Sequence, residues 1–157
     1  GSKDGSLYAR DPEDGSAVWT NVVRAAPVSP AFAGFGLFNG AVGFAQDRFY
    51  ATLFEFSPAS VPAPNHLMAF SAVDGSIAWQ DDIGHSWGSV ALGGGLVMAG
   101  NQANTNFYVY DATTGSRLKT IAMPATSSSG ASIVDGTIYV GYGVFGPAGG
   151  VKAIGLP

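Results

Sequence analysis

The sequence predicts an all-β protein, a partial β-propeller of about three to four blades, each a four-stranded antiparallel sheet. Three observations carry this. Two hairpin figures alternate along the chain at a spacing near 40 residues, the length of a four-stranded blade. Glycine is frequent, with 23 residues, and nine prolines accompany it, so turns punctuate short runs of β-formers. No window carries an apolar period of 3.6 residues, so no helix of consequence is expected.

The first figure is clearest at His66 to Trp79. Two apolar runs are joined there by Asp74-Gly75, which predicts a two-residue I′ turn, and Trp79 stands four residues after the glycine. Leu7 to Trp19 repeats the figure. Phe107 to Lys119 repeats it again, with lysine in the tryptophan place. The turn glycines Gly15, Gly75 and Gly115 are 60 and 40 residues apart.

The second figure is a hairpin ahead of the first one. It runs from Gly40 to Ala51, from Gly88 to Ala99 and from Gly130 to Gly141. Its tight turns fall at Gln46-Asp47, Gly93 to Gly95 and Asp135-Gly136. Together the figures divide the chain into a half-blade at 3–24, a blade at 37–80, a blade at 86–122 and a partial closing blade at 128–156. In the last of these, Val151, Ala153 and Ile154 read as a third strand. Two insertions widen the first interval. Pro27 to Phe38 connects blades, and Ser57 to Asn65 holds three prolines, which cannot donate to a ladder and therefore mark loops. Loops of this kind are candidate rims of a binding surface.

Two full blades are fewer than the ~4–8 that close a ring. The expectation is therefore a C-terminal portion of a longer polypeptide. Its partners would be the remaining blades of that parent, or other copies through open blade edges.

Composition excludes several classes. The net charge is −4, charged residues are 11%, and no Lys/Arg cluster marks a nucleic-acid surface. Cysteine is absent, which removes disulfides, thiol nucleophiles and Cys-zinc sites. No apolar run is long enough for a membrane span.

The hairpin figure Leu-Tyr-Ala-x-Asp-x-x-x-Gly-x-x-x-Trp resembles the repeat of the PQQ-type, quinoprotein alcohol dehydrogenase-like β-propellers. Leu7, Tyr8, Ala9, Asp11, Gly15 and Trp19 match it fully. Leu67, Ala69, Gly75 and Trp79 match with Ser71 in the aspartate place, and Tyr108, Asp111 and Gly115 match with Lys119 for tryptophan. Tyr139 to Ile154 resembles the closing blade of polyvinyl-alcohol-dehydrogenase-like members. The aspartates are expected to fix the turn and the tryptophans to lie between blades.

The resemblance implies a periplasmic or extracellular protein and leaves two functions open. One is a quinoprotein-type dehydrogenase oxidising alcohol groups, with PQQ and Ca²⁺ in the full-length parent. The other is a non-catalytic propeller acting as a protein- or glycan-binding scaffold, since this repeat serves dehydrogenases and assembly scaffolds alike.

Candidate contacts follow from the starts of the innermost strands, which face the central channel. Asn39, Trp87 and Ser129 each precede a repeat glycine. In resembling quinoproteins a tryptophan stacks on the cofactor, so Trp87 is the candidate platform and Asn39 and Ser129 are candidate polar contacts. Packing is the commoner role for such an aromatic. His85, two residues before Trp87, is a further contact at the same rim or a plain loop histidine. His66 reads as structural, and Asp47-Arg48 and Asp81-Asp82 as solvated turns. No spacing fits a metal site, and no catalytic residue is assigned.

Overall fold

The computed structural model describes residues 1–2, 5–23, 38, 40–54, 66–144, 146 and 148–155. Alternating short apolar runs and turn residues fold these into thirteen strands, with no helix among them. The strands make four separate antiparallel sheets. Sheet one holds β1 (Ser6–Arg10) and β2 (Ala17–Val22). Sheet two runs β3 (Gly43–Ala45), β4 (Arg48–Thr52), β5 (Leu67–Ser71) and β6 (Ile77–Asp81). Sheet three runs β7 (Ala91–Gly93), β8 (Leu96–Gly100), β9 (Asn106–Asp111) and β10 (Arg117–Ala122). Sheet four holds β11 (Ser132–Val134), β12 (Thr137–Tyr142) and β13 (Gly150–Gly155). Every sheet is a meander in which sequence neighbours pair. This is the architecture of a partial propeller.

The inner hairpins close as two-residue turns with positive φ at both central residues: Gln46 and Asp47, Gly94 and Gly95, Asp135 and Gly136. That is the I′ geometry. The outer hairpins differ from the sequence expectation. Asp74-Gly75 is not a I′ turn, because Gly75 has positive φ and Asp74 does not. Gly75 N donates to Ser71 O, so a longer turn forms, with a bulge between Ala69 and Phe70. The reason is the Asp74 carboxylate, which accepts from both the backbone N–H and the hydroxyl of Ser76. At the sister turns Asp11 accepts from Glu13 N, and Asp111 from Thr113 N and Thr114 N, as expected of Asx-type turns.

The core lies between sheets, in three clusters. Leu7 of sheet one packs with Met68 and Phe70 of sheet two. Leu67 and Ala69 on the other face of sheet two pack with Tyr108 and Tyr110 of sheet three. Phe107 and Val109 on the far face of sheet three pack with Ile138 and Val140 of sheet four. Both faces of the central sheets are therefore covered, which explains their loose alternation.

Tryptophans link successive sheets. Trp19 Nε1 donates to Ala72 O and Trp79 Nε1 to Ala112 O, each at 2.9 Å. Their rings lie on Gly75 and Gly115, where an added Cβ would fall 2.5 and 2.6 Å from ring atoms. Those glycines thus meet two demands, positive φ and close approach. Where Lys119 replaces tryptophan, the third junction uses another link: Lys152 Nζ donates to Ala122 O at 2.6 Å. A clasp strengthens the second junction. Asp81 Oδ2 accepts from Arg117 Nη2 at 2.7 Å and from Tyr110 Oη at 2.9 Å, and Arg117 stacks over Tyr108.

Of the Pro27 to Phe38 connection, residues 27–37 lie outside the described residues; Phe38 is buried against Phe70. The Ser57 to Asn65 loop also lies outside them.

Candidate functional site

The site region is the end of the sheets where β4 leads toward β5 and where the connection from β6 enters β7. The same end of sheet three holds the β8–β9 connection, 101–105, and the β10–β11 connection, 123–131. Hydrogen bonds set its register. Ser86 N donates to Leu53 O, and Ser127 N to Asn101 O. Ser86 Oγ donates to Gly100 O and Ser127 Oγ to Gly141 O. Ser86 and Ser127 are therefore equivalent, and the residue matching Trp87 is Ser128 rather than Ser129. Asn39 lies outside the described residues.

The inner-strand starts converge. An added Cβ at Gly40 would fall 2.5 Å from Gly88 O, and one at Gly88 would fall 2.6 Å from Ser128 O. Thr52 Oγ1 also donates to Gly88 O. A continuous network crosses this line. Trp87 N donates to Gln102 Oε1 at 3.1 Å, and Gln102 Nε2 donates to Ser128 Oγ. Ser129 is exposed, and its hydroxyl donates to Gly130 O at 2.8 Å.

Trp87 is half-buried and tilted on the buried Phe54, with centroids 4.4 Å apart. Phe54 also meets the edge of His85 at 5.2 Å. His85 in turn lies 6.5 Å from His66, ring to ring. His66 is 6% exposed, and its Nδ1 is 2.6 Å from Asp82 Oδ1. Among the described residues its buried Nε2 has no hydrogen-bond partner. Gly84 N also donates to Asp82 Oδ1.

The electrostatics follow from this geometry. Partial burial would raise the Asp82 pKa, but the Gly84 N–H and the His66 ring outweigh it, so the carboxyl titrates below its ordinary value. Burial first, then the neighbouring His66, hold the His85 imidazole below its ordinary range. His85 is a neutral, half-buried ring at neutral pH.

Two residues read as structural or solvated in the sequence, His66 and Asp82, thus pair with each other beside the His85 ring. The signal was available in the hairpin ladder. Leu67 pairs with Asp81, so the residues just outside them, 66 and 82, face each other.

Among the described residues the donor set does not fit a bound quinone with several carboxylates, or a Ca²⁺ beside it. Calcium takes ~6–8 oxygens. Among the described residues no group of three or more His, Asp or Glu could hold a metal ion. Asp82 Oδ1 is tied to His66 and to Gly84 N. The cation closest to Asp82, Arg117, is paired with Asp81. What the arrangement offers is an aromatic surface rimmed by amide, hydroxyl and imidazole groups.

Among the described residues no helix is long and apolar enough to cross a membrane. A family model described as outer membrane protein assembly factor BamB matches residues 1–121. No curated protein sequence matches. Quinohemoprotein alcohol dehydrogenase from Comamonas testosteroni superposes with a TM-score of 0.68 at 17% identity, over 87% of this chain and 26% of that one. BamB from Moraxella catarrhalis gives 0.56 at 13% identity, over 88% and 50%. Quinohemoprotein alcohol dehydrogenase ADHIIG from Pseudomonas putida HK5 gives 0.57 at 22% identity, over 73% and 18%. The chain spans half or less of the length of each, and at these identities the likeness is one of fold.

Proposed function

Because the chain belongs to the PQQ-like propeller repeat family whose model is described as outer membrane protein assembly factor BamB, we propose that it is part of a non-catalytic propeller. It would bind a protein or glycan through the loops around Trp87, outside the cytoplasm, in the periplasm or beyond the cell. One observation carries this reading: the polar groups at the convergence of the inner strands bond to one another. Trp87 N, Gln102 and Ser128 form one chain of hydrogen bonds, and the Trp87 ring already packs on Phe54. Such a surface suits contact recognition by an aromatic with a polar rim.

The second reading is a quinoprotein-type dehydrogenase oxidising alcohol groups, with PQQ and Ca²⁺ bound in a longer parent. It is favoured by the Asp82-oriented imidazole of His66, which is linked to Trp87 through the rings of His85 and Phe54. Titrating the chain with PQQ and Ca²⁺ separates the two, read by tryptophan fluorescence and dye-linked alcohol oxidation. The scaffold reading expects neither saturable quenching nor dye reduction. Quenching that Trp87→Ala abolishes, together with dye reduction, overturns it.

A further inference from the structure

Four Asp-Gly pairs stand in the chain: Asp4-Gly5, Asp14-Gly15, Asp74-Gly75 and Asp135-Gly136. Asp4 lies outside the described residues. The other three aspartates are all exposed at hairpin turns, so the pairs differ in their bonding rather than in their access to water.

An Asp-Gly pair carries a latent reaction of its own. The glycine backbone nitrogen, which no Cβ shields, can attack the aspartate side-chain carboxyl carbon. A C–N bond forms and a C–O bond breaks. The leaving oxygen departs as water with the N–H proton and the acid proton, so the neutral carboxyl is the reactive form. The product is a five-membered succinimide. Water then opens it, and opening at the α-carbonyl leaves the main chain running through the side chain, as isoaspartate. The reaction needs an uncommitted glycine N–H, an uncommitted carboxyl group and room to swing one against the other.

Two pairs fail these demands. Ala9 pairs with Trp19 as Ala69 pairs with Trp79, which makes Gly15 the equivalent of Gly75 and Pro12 the equivalent of Ala72. Gly15 N donates to Asp11 O and Gly75 N to Ser71 O, both at 2.9 Å. The Asp14 carboxylate accepts from Ser16 N, and that of Asp74 from Ser76 N and Oγ. The Ser16 N–H above all at Asp14, and the Ser76 hydroxyl above all at Asp74, hold both carboxyls below their ordinary pKa, in the unreactive charged form.

Asp135-Gly136 differs on each count. Among the described residues neither the Gly136 N–H nor the Asp135 carboxylate has a hydrogen-bond partner. None of those residues lies within 4 Å of a Cβ built on Gly136. Asp135 holds a φ of 47°, a left-handed conformation that a side chain adopts at a cost. The strand before it, β11, has three residues, all exposed, and pairs among the described residues with β12 alone. A hairpin tip held so lightly opens at little cost.

We infer that Asp135-Gly136 is the site at which the folded protein forms isoaspartate. The new linkage adds one methylene to the main chain inside a two-residue turn. It falls between β11 and β12 and leaves the β12–β13 ladder untouched. It also frees an α-carboxylate at the surface, the acceptor chemistry of an S-adenosylmethionine-dependent carboxyl methyltransferase.

The test ages the whole chain at neutral pH, folded in one sample and in urea in another. Peptide mapping with electron-transfer fragmentation distinguishes the two linkages residue by residue. In the folded chain isoaspartate should accumulate at residue 135 at least about tenfold faster than at residue 14 or 74, because a bonded site reacts only while it is locally open. In urea the three rates should converge. A protein carboxyl methyltransferase with labelled S-adenosylmethionine should then mark the peptide holding residue 135 of the aged folded chain. Three outcomes overturn the inference: conversion at residue 135 no faster than at the other two in the folded chain, an aged chain that takes no label there, or a preference for residue 135 that survives in urea. The last would trace the preference to Thr137, which stands where Ser16 and Ser76 follow the other pairs, and not to the fold.

Discussion

The Trp79 indole donates to the carbonyl of Ala112, 2.9 Å away on the next sheet. That acceptor is shared, since Tyr50 Oη donates to it at 3.0 Å. Among the described residues the Ala72 carbonyl, which receives Trp19, is given no such second hydroxyl. The two junctions repeat one design with different reserves.

Trp79→Phe keeps the ring and loses one hydrogen bond whose acceptor stays partnered, so it should cost about 1 kcal/mol. Trp19→Phe leaves the Ala72 carbonyl without that donor and should cost more, by up to about 1 kcal/mol. Trp79→Ala also removes the ring from the junction and should cost about 3 kcal/mol. Urea unfolding of the three variants measures the order. Equal costs for the two Phe variants would contradict the role of Tyr50.

Gly115→Ala and Gly15→Ala impose the same positive φ on a side chain, about 1–2 kcal/mol each. At Gly115 the new methyl also meets the Trp79 ring, while at Gly15 it meets none of the described residues within 4 Å. Gly115→Ala should therefore be the more destabilising, by more than about 1 kcal/mol. Thermal unfolding of the pair decides it, and indistinguishable midpoints would refute the close contact.

His85 is held below its ordinary pKa of 6.5 by burial and by His66. The unfolded chain then binds more protons than the folded one as pH falls below that value. Stability from this group is full above pH 6.5 and is lost progressively below it. Asp82, also lowered, adds a second loss as pH drops below 3.8. Midpoints measured from pH 8 to pH 3 should fall in these two windows. His85→Asn should flatten the upper one while leaving the lower one in place.

Asp81 joins Arg117 and Tyr110 across the second junction, with both charged side chains about a third exposed. Asp81→Asn should cost no more than about 1 kcal/mol, given solvent screening. Burial above all, then the bond to Asp81, raises the Tyr110 pKa. Ultraviolet titration should show Tyr110 among the last tyrosines to ionise, and Asp81→Asn should bring it earlier.

Much of the fold was legible because its punctuation is local. Gly75, Gly115 and the inner Asp135-Gly136 turn announce hairpins from adjacent residues, and the recurring tryptophans reveal the period. The outer turn type was misread because Asp74 bonds to Ser76, two residues on, and that side-chain choice competes with the I′ geometry. Trp87 and His85 were visible as residue types beside an inner strand. Their contacts to Phe54 were not, because a separation of more than thirty residues leaves no local trace. The offset between Trp87 and Ser129 arose from aligning glycines, whereas the ladder is held by Ser86 and Ser127.

Pro12 has a consequence for the interchange of repeats. In sheets two and three the residue at this position donates its N–H to the inner hairpin: Ala72 to Asp47 O and Ala112 to Gly95 O. Proline has no N–H to give. A hairpin copied from Leu7 to Trp19 and transplanted into sheet two or three would leave the Asp47 or Gly95 carbonyl short of its donor, while the alanine-bearing hairpins could replace one another. The three motifs look like spare parts of one kind, but the exchange runs in one direction.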